Sequence, residues 1–308
     1  MIDFAEQVVI VSGAGRGLGR LYAIDLARRG ASVVVNDVGS SMDGHGGDRR
    51  VADDVVSEIR AAGGIAVASY DSVDTPAGGE AIVQLAIEEL GGVDAVVSNA
   101  GIFQTTPFDE ITADDWQRML RVHLDGAFHL SQPAYRVMKQ HGYGRLVFIT
   151  SSAGLFGQPS SAHYAAAKAG TLGLANVIAI EGAEHGVAAN CVLPFGYSRM
   201  VSETIGDRDD VEPDPGFLHA IEPELVVPIV VYLASRACSV THHNVSACAG
   251  RFARVFVGLA DGWVAGAGSE PTADDIAEHL AQITASEPYT VPGSIFDEVF
   301  RVCEQIGL

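Results

Sequence analysis

The chain has 308 residues, 48% of them hydrophobic, and a formal charge of −20 at pH 7, enough apolar material to fill one large α/β domain or two small ones. So acidic a surface repels phosphates and excludes nucleic acid as the expected partner. No apolar run approaches the ~20 residues of a membrane span, and Cys191, Cys238, Cys248 and Cys303 form no C-x-x-C pair, so neither a membrane anchor nor a metal site is expected.

A strand pattern begins at Val8, leaving no room for a signal peptide before it. With scattered thiols suited to a reducing compartment, the chain reads as soluble and cytoplasmic. Short β-branched runs at Val8–Val11, Ser32–Asn36, Ile65–Ser69, Ala95–Ser98, Arg145–Thr150 and Ala188–Leu193 predict buried parallel strands. Helical patterns alternate with them: Leu18–Arg29, Arg50–Ala62, Ala77–Leu90, Asp114–Gln140 and Ala162–His185. That order predicts a doubly wound, Rossmann-like parallel α/β sheet with right-handed crossovers. The polar stretch Tyr197–Gly216 breaks the rhythm where a lid is expected. A helix resumes over Glu222–Arg236, and Arg254–Gly258 is expected as the final strand. One domain over residues 1–268 is followed by a helical extension, 269–308. There Thr272 opens one amphipathic helix and Ser294–Gln305 forms another. The extension either packs against the core or a partner subunit near the lid, or is a stabilising appendage far from the cleft.

Chemistry concentrates in three places. Ser12-Gly13-Ala14-Gly15-Arg16-Gly17-Leu18-Gly19 follows a strand and opens a helix. Its glycines let backbone amides approach a pyrophosphate, and the helix N-terminus favours that charge. Asp37 ends the second strand, where a carboxylate accepts both adenosine ribose hydroxyls and repels a 2′-phosphate, favouring NAD over NADP. Arg16 either attracts that phosphate or is a solvated loop charge. Finally, Tyr164 and Lys168 are one helical turn apart, with Ser151 thirteen residues upstream. An ammonium beside a phenol favours the phenolate, and a serine hydroxyl can hold a substrate oxygen, so the three compose a proton relay.

These motifs together resemble the short-chain dehydrogenase/reductase family over about residues 4–258. The family's glycine spacing is met by Gly13, Gly17 and Gly19, its adenine-contacting aspartate by Asp71, and its Asn-Ala-Gly element by Asn99, Ala100 and Gly101. Its Ser, Tyr and Lys fall on Ser151, Tyr164 and Lys168. The resemblance implies NAD held by Gly13, Arg16, Gly17, Leu18, Gly19, Asp37, Asp71, Ser72, Asn99, Ala100, Gly101, Tyr164, Lys168 and Pro194, with Lys168 on the nicotinamide ribose. Two departures narrow it: His123 stands at the usual asparagine, and Pro194-Phe195-Gly196 at the usual Pro-Gly. With the long loop from Val35 to Asp48 and Ser198-Arg199-Met200, they resemble the (3R)-hydroxyacyl-CoA dehydrogenase branch, that of peroxisomal multifunctional enzyme type 2 (17β-hydroxysteroid dehydrogenase type 4). His123 either holds a relay water, as the asparagine does, or packs on its helix. The resemblance implies a small-molecule substrate, either an acyl-CoA or a hydroxysteroid or small alcohol. Arg199, Arg208, Arg251 and Arg254 are candidates for CoA phosphates. A non-catalytic nucleotide sensor on the same fold is a further alternative, though such proteins usually lose the Tyr or Lys that this chain keeps. It also implies a homodimer or homotetramer built on the two long helices, since Leu172, Leu174, Val177, Ile178 and Ile180 cover more than one face.

Overall fold

The computed structural model describes residues 2–196, 216, 220–266 and 268–307. Seven parallel strands run through it: Val8–Ser12 (β1), Ser32–Asn36 (β2), Ile65–Ser69 (β3), Ala95–Ser98 (β4), Gly144–Ile149 (β5), Val187–Phe195 (β6) and His243–Cys248 (β7). An eighth, Arg251–Val255 (β8), completes a sheet ordered β3-β2-β1-β4-β5-β6-β7-β8. Winding reverses between β1 and β4, the position at which a doubly wound sheet opens a crevice beyond its strand ends.

Side chains alternate strictly between the two faces, the period of an extended strand. Val9, Val11, Val33, Val35 and Val97 enter one apolar layer with Tyr22 and Leu26 of Gly17–Arg28 (α1), Val55 and Ile59 of Arg50–Ala61 (α2), and Val230 of Val227–Ala234 (labelled α8 in chain order). Ile10, Val34, Val96, Leu146 and Phe148 enter the opposite layer with Ile82 of Pro76–Leu90 (α3), Leu130 of Gly126–His141 (α5) and Leu172 of Ala162–Gly182 (α7). With both faces covered, the strands read as near-continuous apolar runs. Each fully buried Val, Leu or Ile contributes about 1.5–3 kcal/mol, and Ile10→Ala at the centre of β1 would cost about 2–5 kcal/mol.

Several boundaries differ from the sequence reading. The helix expected at Asp114–Gln140 is Ala113–Leu120 (α4), a π turn at Arg121–Asp125, and then α5. A short helix, Ala153–Phe156 (α6), follows β5, and the Glu222–Arg236 helix is a 3₁₀ turn at Pro223–Val226 leading into α8. The strand expected at Arg254–Gly258 is Arg251–Val255, preceded by β7, which the sequence reading does not include. Chain reversal falls at Ala249 and Gly250, whose φ values of 52° and 73° suit a two-residue hairpin. Apart from Gly216, the Tyr197–Gly216 stretch lies outside the described residues, as do Arg199 and Arg208.

Two compact units divide the chain, residues 1–254 and 255–308, where the sequence reading places its boundary after Gly268. In the second unit Leu259–Ala260 (β9) pairs antiparallel with Tyr289–Thr290 (β10). Thr272 and Asp275 form a capping box for Ala273–Glu278 (α9), which is followed by Leu280–Ile283 (α10). Ser294 and Asp297 cap Ile295–Ile306 (α11) in the same way. The unit is knitted by surface contacts: Trp263 stacks on His279 at 4.2 Å and Arg301 bonds Asp261 at 2.8 Å. Among the described residues, no helix is long and apolar enough to cross a membrane.

Candidate active site

The glycine-rich turn leaves β1 and enters α1 at the crevice between β1 and β4. Gly13 has φ +62°, and a Cβ there would fall 2.8 Å from Ala100 Cα. A Cβ on Gly19 would meet the Gly13 carbonyl oxygen at 2.1 Å, so the turn packs directly on its own helix. The end of β4 braces it. Asn99 Nδ2 donates to Ser12 O at 3.0 Å and to Gly13 O at 3.1 Å, while Ser12 Oγ accepts from the N–H groups of Asn99 and Ala100 at 3.0 and 3.1 Å.

α1 begins at Gly17 with no side-chain cap and no acidic residue in its first turn. Its first N–H groups are thus left for an anion, and a Cβ on Gly17 would meet no atom within 4 Å. Asp37 is fixed by two backbone donors, Gly15 N to Oδ2 at 2.9 Å and Gly39 N to Oδ1 at 2.7 Å. Asn36 donates to Asp71 O at 2.9 Å, bringing the end of β3 alongside. The Arg16 guanidinium donates to Ser40 O at 3.2 Å. This donor set fits a dinucleotide, with amides and a helix terminus for the pyrophosphate and a held carboxylate for ribose hydroxyls.

A cavity of about 700 Å³ runs from this turn to the end of β5. On its wall lie Gly13, Arg16, Gly17, Leu18, Gly19, Asp37, Asp71, Ser72, Asn99, Ala100, Gly101 and Pro194, together with Ser151, Tyr164, Lys168 and His123. The residues expected to hold the dinucleotide and those of the proton relay thus share one wall, whereas Arg251 and Arg254 are not on it and Arg199 and Arg208 lie outside the described residues. The sequence reading missed Ser41, Met42 and Gly44 of the β2–α2 loop, and Phe103 and Ile149, which share the wall. The one available signal was loop length: residues 37–49 exceed the usual 2–6-residue connection of an α/β unit.

At the catalytic end, Tyr164 is 8% exposed, and its ring takes edge-on contacts from Phe103 at 5.3 Å and His123 at 5.1 Å. Lys168 Nζ donates to Ile149 O at 2.7 Å and stands 5.7 Å from the centroid of the Tyr164 ring. Burial pushes the phenol above its ordinary pKa, while a hydrogen bond with Ser151 pulls it down. Burial also brings the Lys168 ammonium down to about 8. The lysine sits over the ring face with its proton committed to a carbonyl, so desolvation outweighs the expected lowering of the phenol by the ammonium.

His123 lies in the π turn, a local widening that recurs at functional sites. Its Nε2 lies 2.7 Å from Ile102 O and 3.2 Å from Ile102 N, and Nδ1 is buried without a partner among the described residues. Burial, and then the Lys168 charge, hold its pKa well below the usual histidine range, so the ring is neutral. Thr171 Oγ1 of α7 lies 3.3 Å from His123 O and binds the π turn to the helix that carries Tyr164.

Residues 7–208 match the model of the short chain dehydrogenase family. A short-chain type dehydrogenase/reductase of Mycobacterium tuberculosis is 41% identical over 279 residues, which cover 91% of this chain and 94% of that protein. A hydroxyacyl-CoA dehydrogenase of the same organism is 37% identical, over 77% of this chain and 75% of its own length. Among solved structures, full-length peroxisomal multifunctional enzyme type 2 from Drosophila melanogaster superposes with a TM-score of 0.82 at 30% identity. That match covers 99% of this chain, which spans only half of the longer enzyme.

Proposed function

We propose that this chain, which belongs to the short-chain dehydrogenase/reductase family, is an NAD-dependent dehydrogenase of a (3R)-hydroxyacyl-CoA, working in fatty-acid or steroid catabolism. Members of this family are oxidoreductases of CH–OH groups that use a nicotinamide dinucleotide. The observation carrying the proposal is the gathering of Ser151, Tyr164 and Lys168 on the wall of the same cavity as the glycine turn.

When bound, the dinucleotide supplies the carbon that accepts the hydride. The protein's own part is proton transfer and positioning. Tyr164 takes the hydroxyl proton onto its Oη as the substrate carbon becomes a carbonyl. Ser151 donates to the substrate oxygen, an interaction that strengthens as negative charge builds there. Lys168, anchored on Ile149, offers its remaining protons to the ribose and keeps a positive charge beside the ring. The neutral His123 holds the Gly101–Ile102 stretch against Tyr164, which supports the packing role more than the water-holding one. Asp37, held by two backbone amides, favours NAD.

The acyl-CoA reading draws on the hydroxyacyl-CoA dehydrogenase relative and on the resemblance in the His123 and β2-loop segments. A hydroxysteroid or small-alcohol dehydrogenase is the second reading, favoured by a net charge of −20 that opposes CoA phosphates. A panel of (3R)-hydroxyacyl-CoAs, their (3S) epimers and hydroxysteroids, assayed by NADH formation, separates the two. Turnover confined to hydroxysteroids would overturn the acyl-CoA assignment. The proposed setting is the cytoplasm and the proposed assembly a homodimer or a dimer of dimers, supported by apolar side chains exposed on α5 and α7, Phe128, Val177 and Ile180 among them.

A further inference from the structure

Residues 37–49, between β2 and α2, place Ser40, Ser41, Met42 and Gly44 on the cavity wall. Met42 O accepts from Phe103 N at 2.9 Å, so the loop is joined across the cavity to the segment after β4. Within the loop a tight turn is closed by Ser41 N donating to His45 O at 2.9 Å and His45 N donating to Ser41 Oγ at 3.1 Å.

Arg118, on α4, is not part of that wall but grips what forms it. Its guanidinium donates to Asp115 Oδ1 at 2.7 Å and Gln104 Oε1 at 2.8 Å, and faces His45 Nε2 at 3.3 Å. The bond to Asp115 stays within one helical turn and by itself would be worth little. The other two leave the helix in different directions. Gln104 belongs to the segment carrying Phe103, and His45 to the loop carrying Met42. The flat, five-donor fork of an arginine can serve three acceptors on three segments at once, which a lysine ammonium does less well. The Arg118 side chain is 24% exposed and that of Asp115 18%, whereas the contact with His45 is solvent-exposed.

We propose that Arg118 is a positioning residue that fastens the 37–49 loop across the dinucleotide cavity by tying His45 to Gln104, and so governs how fast the cofactor leaves. This rests on the dinucleotide-binding function proposed above. Met42 and Ser41 line the cavity and Arg118 does not, so removing the guanidinium should loosen retention of a bound dinucleotide rather than alter chemistry.

Stopped-flow displacement of NADH, followed by its fluorescence, tests this in full-length wild type, Arg118→Met, Arg118→Lys and His45→Ala. Arg118→Met should release NADH about tenfold faster, the effect of losing roughly one charge-assisted hydrogen bond. The KM for NAD should rise in step, while kcat moves by less than about threefold. Arg118→Lys should recover only part of the effect. His45→Ala, at an exposed position with little bearing on folding, should accelerate release in the same direction even if Arg118→Met proves unstable. Release unchanged in both Arg118→Met and His45→Ala, with normal wild-type binding, overturns the fastening role alone. A wild type that binds no dinucleotide overturns this proposal together with the function beneath it.

Discussion

Lys168 donates to the main-chain carbonyl of Ile149 at 2.7 Å. One bond thereby ties the helix bearing Tyr164 to the end of the strand that leads into Ser151, so the groups proposed for catalysis are held in register by the sheet. The ammonium is buried at that junction, 5.7 Å from the centre of the phenol ring rather than at open surface. What each group then does can be read by removing it.

Tyr164→Phe keeps the ring that packs between Phe103 and His123 and deletes only the proton acceptor. Turnover should fall by about two orders of magnitude or more, while NADH binding stays near normal. Steady-state assay and a fluorescence titration check both halves; retained turnover in a folded variant would remove Tyr164 from the chemistry.

Lys168 gives a pH signature. Its pKa falls from 10.5 to about 8 in the folded chain, so between those values the unfolded state binds more protons. Stability contributed through this group therefore rises with pH across the window from about 8 to 10.5. Below pH 8 the native state carries the full cost of a buried ammonium. Lys168→Met should be more stable than wild type near pH 7, and the gap should close as pH climbs to 10.5. Denaturant melts of the two proteins at pH 7 and pH 10 test this, and a gap that widens would reverse the sign assigned here.

For Asp37, Asp37→Ser should narrow the preference for NAD over NADP, because the repulsion of a 2′-phosphate is lost. The same change releases Gly15 N and Gly39 N, so efficiency with NAD should itself drop several-fold, the scale of about one hydrogen bond. Comparison of kcat/KM for both cofactors decides. Equal efficiency in the wild type would mean that Arg16 outweighs Asp37.

Assembly is tested on α7. Of the apolar residues noted on this helix, Leu172 is buried in the core and Leu174 and Ile178 pack against it, whereas Val177 and Ile180 remain 53% and 49% exposed. Val177→Glu should leave the core intact and convert the proposed homodimer to a monomer in light scattering, since an uncompensated charge in an apolar interface costs several kcal/mol. A wild type that is already monomeric rules the interface out.

The first six strands were legible because burial on both faces demands β-branched runs, and the glycine turn because backbone crowding at Gly13 and Gly19 admits no side chain. His243–Cys248 was not legible. Its sequence, His-Asn-Val-Ser-Ala-Cys, has neither an apolar run nor clear alternation, and its place is fixed by pairing with β6, from Asn190 with His243 to Phe195 with Cys248. Nor does any local pattern announce the π turn at Arg121–Asp125. At that turn α7 comes close, and a Cβ on Gly170 would fall 2.9 Å from Leu124 Cδ2. That Ser151, Tyr164 and Lys168 share one cavity wall could be read from spacing and type. The β2–α2 loop could not be assigned to the wall, because its contacts with Phe103 and Arg118 join distant parts of the chain.

A Cβ at Gly101 would stand 2.6 Å from His123 Cε1, and that ring cannot retreat, being buried and bonded to Ile102. The two positions therefore constrain one another. While a histidine occupies 123, even an alanine at 101 is barred, and the bar lifts only once a smaller residue has replaced the imidazole. Any side chain at 101 has to displace the imidazole and break its bond to Ile102, which couples the cavity wall at 101 to the π turn that carries His123.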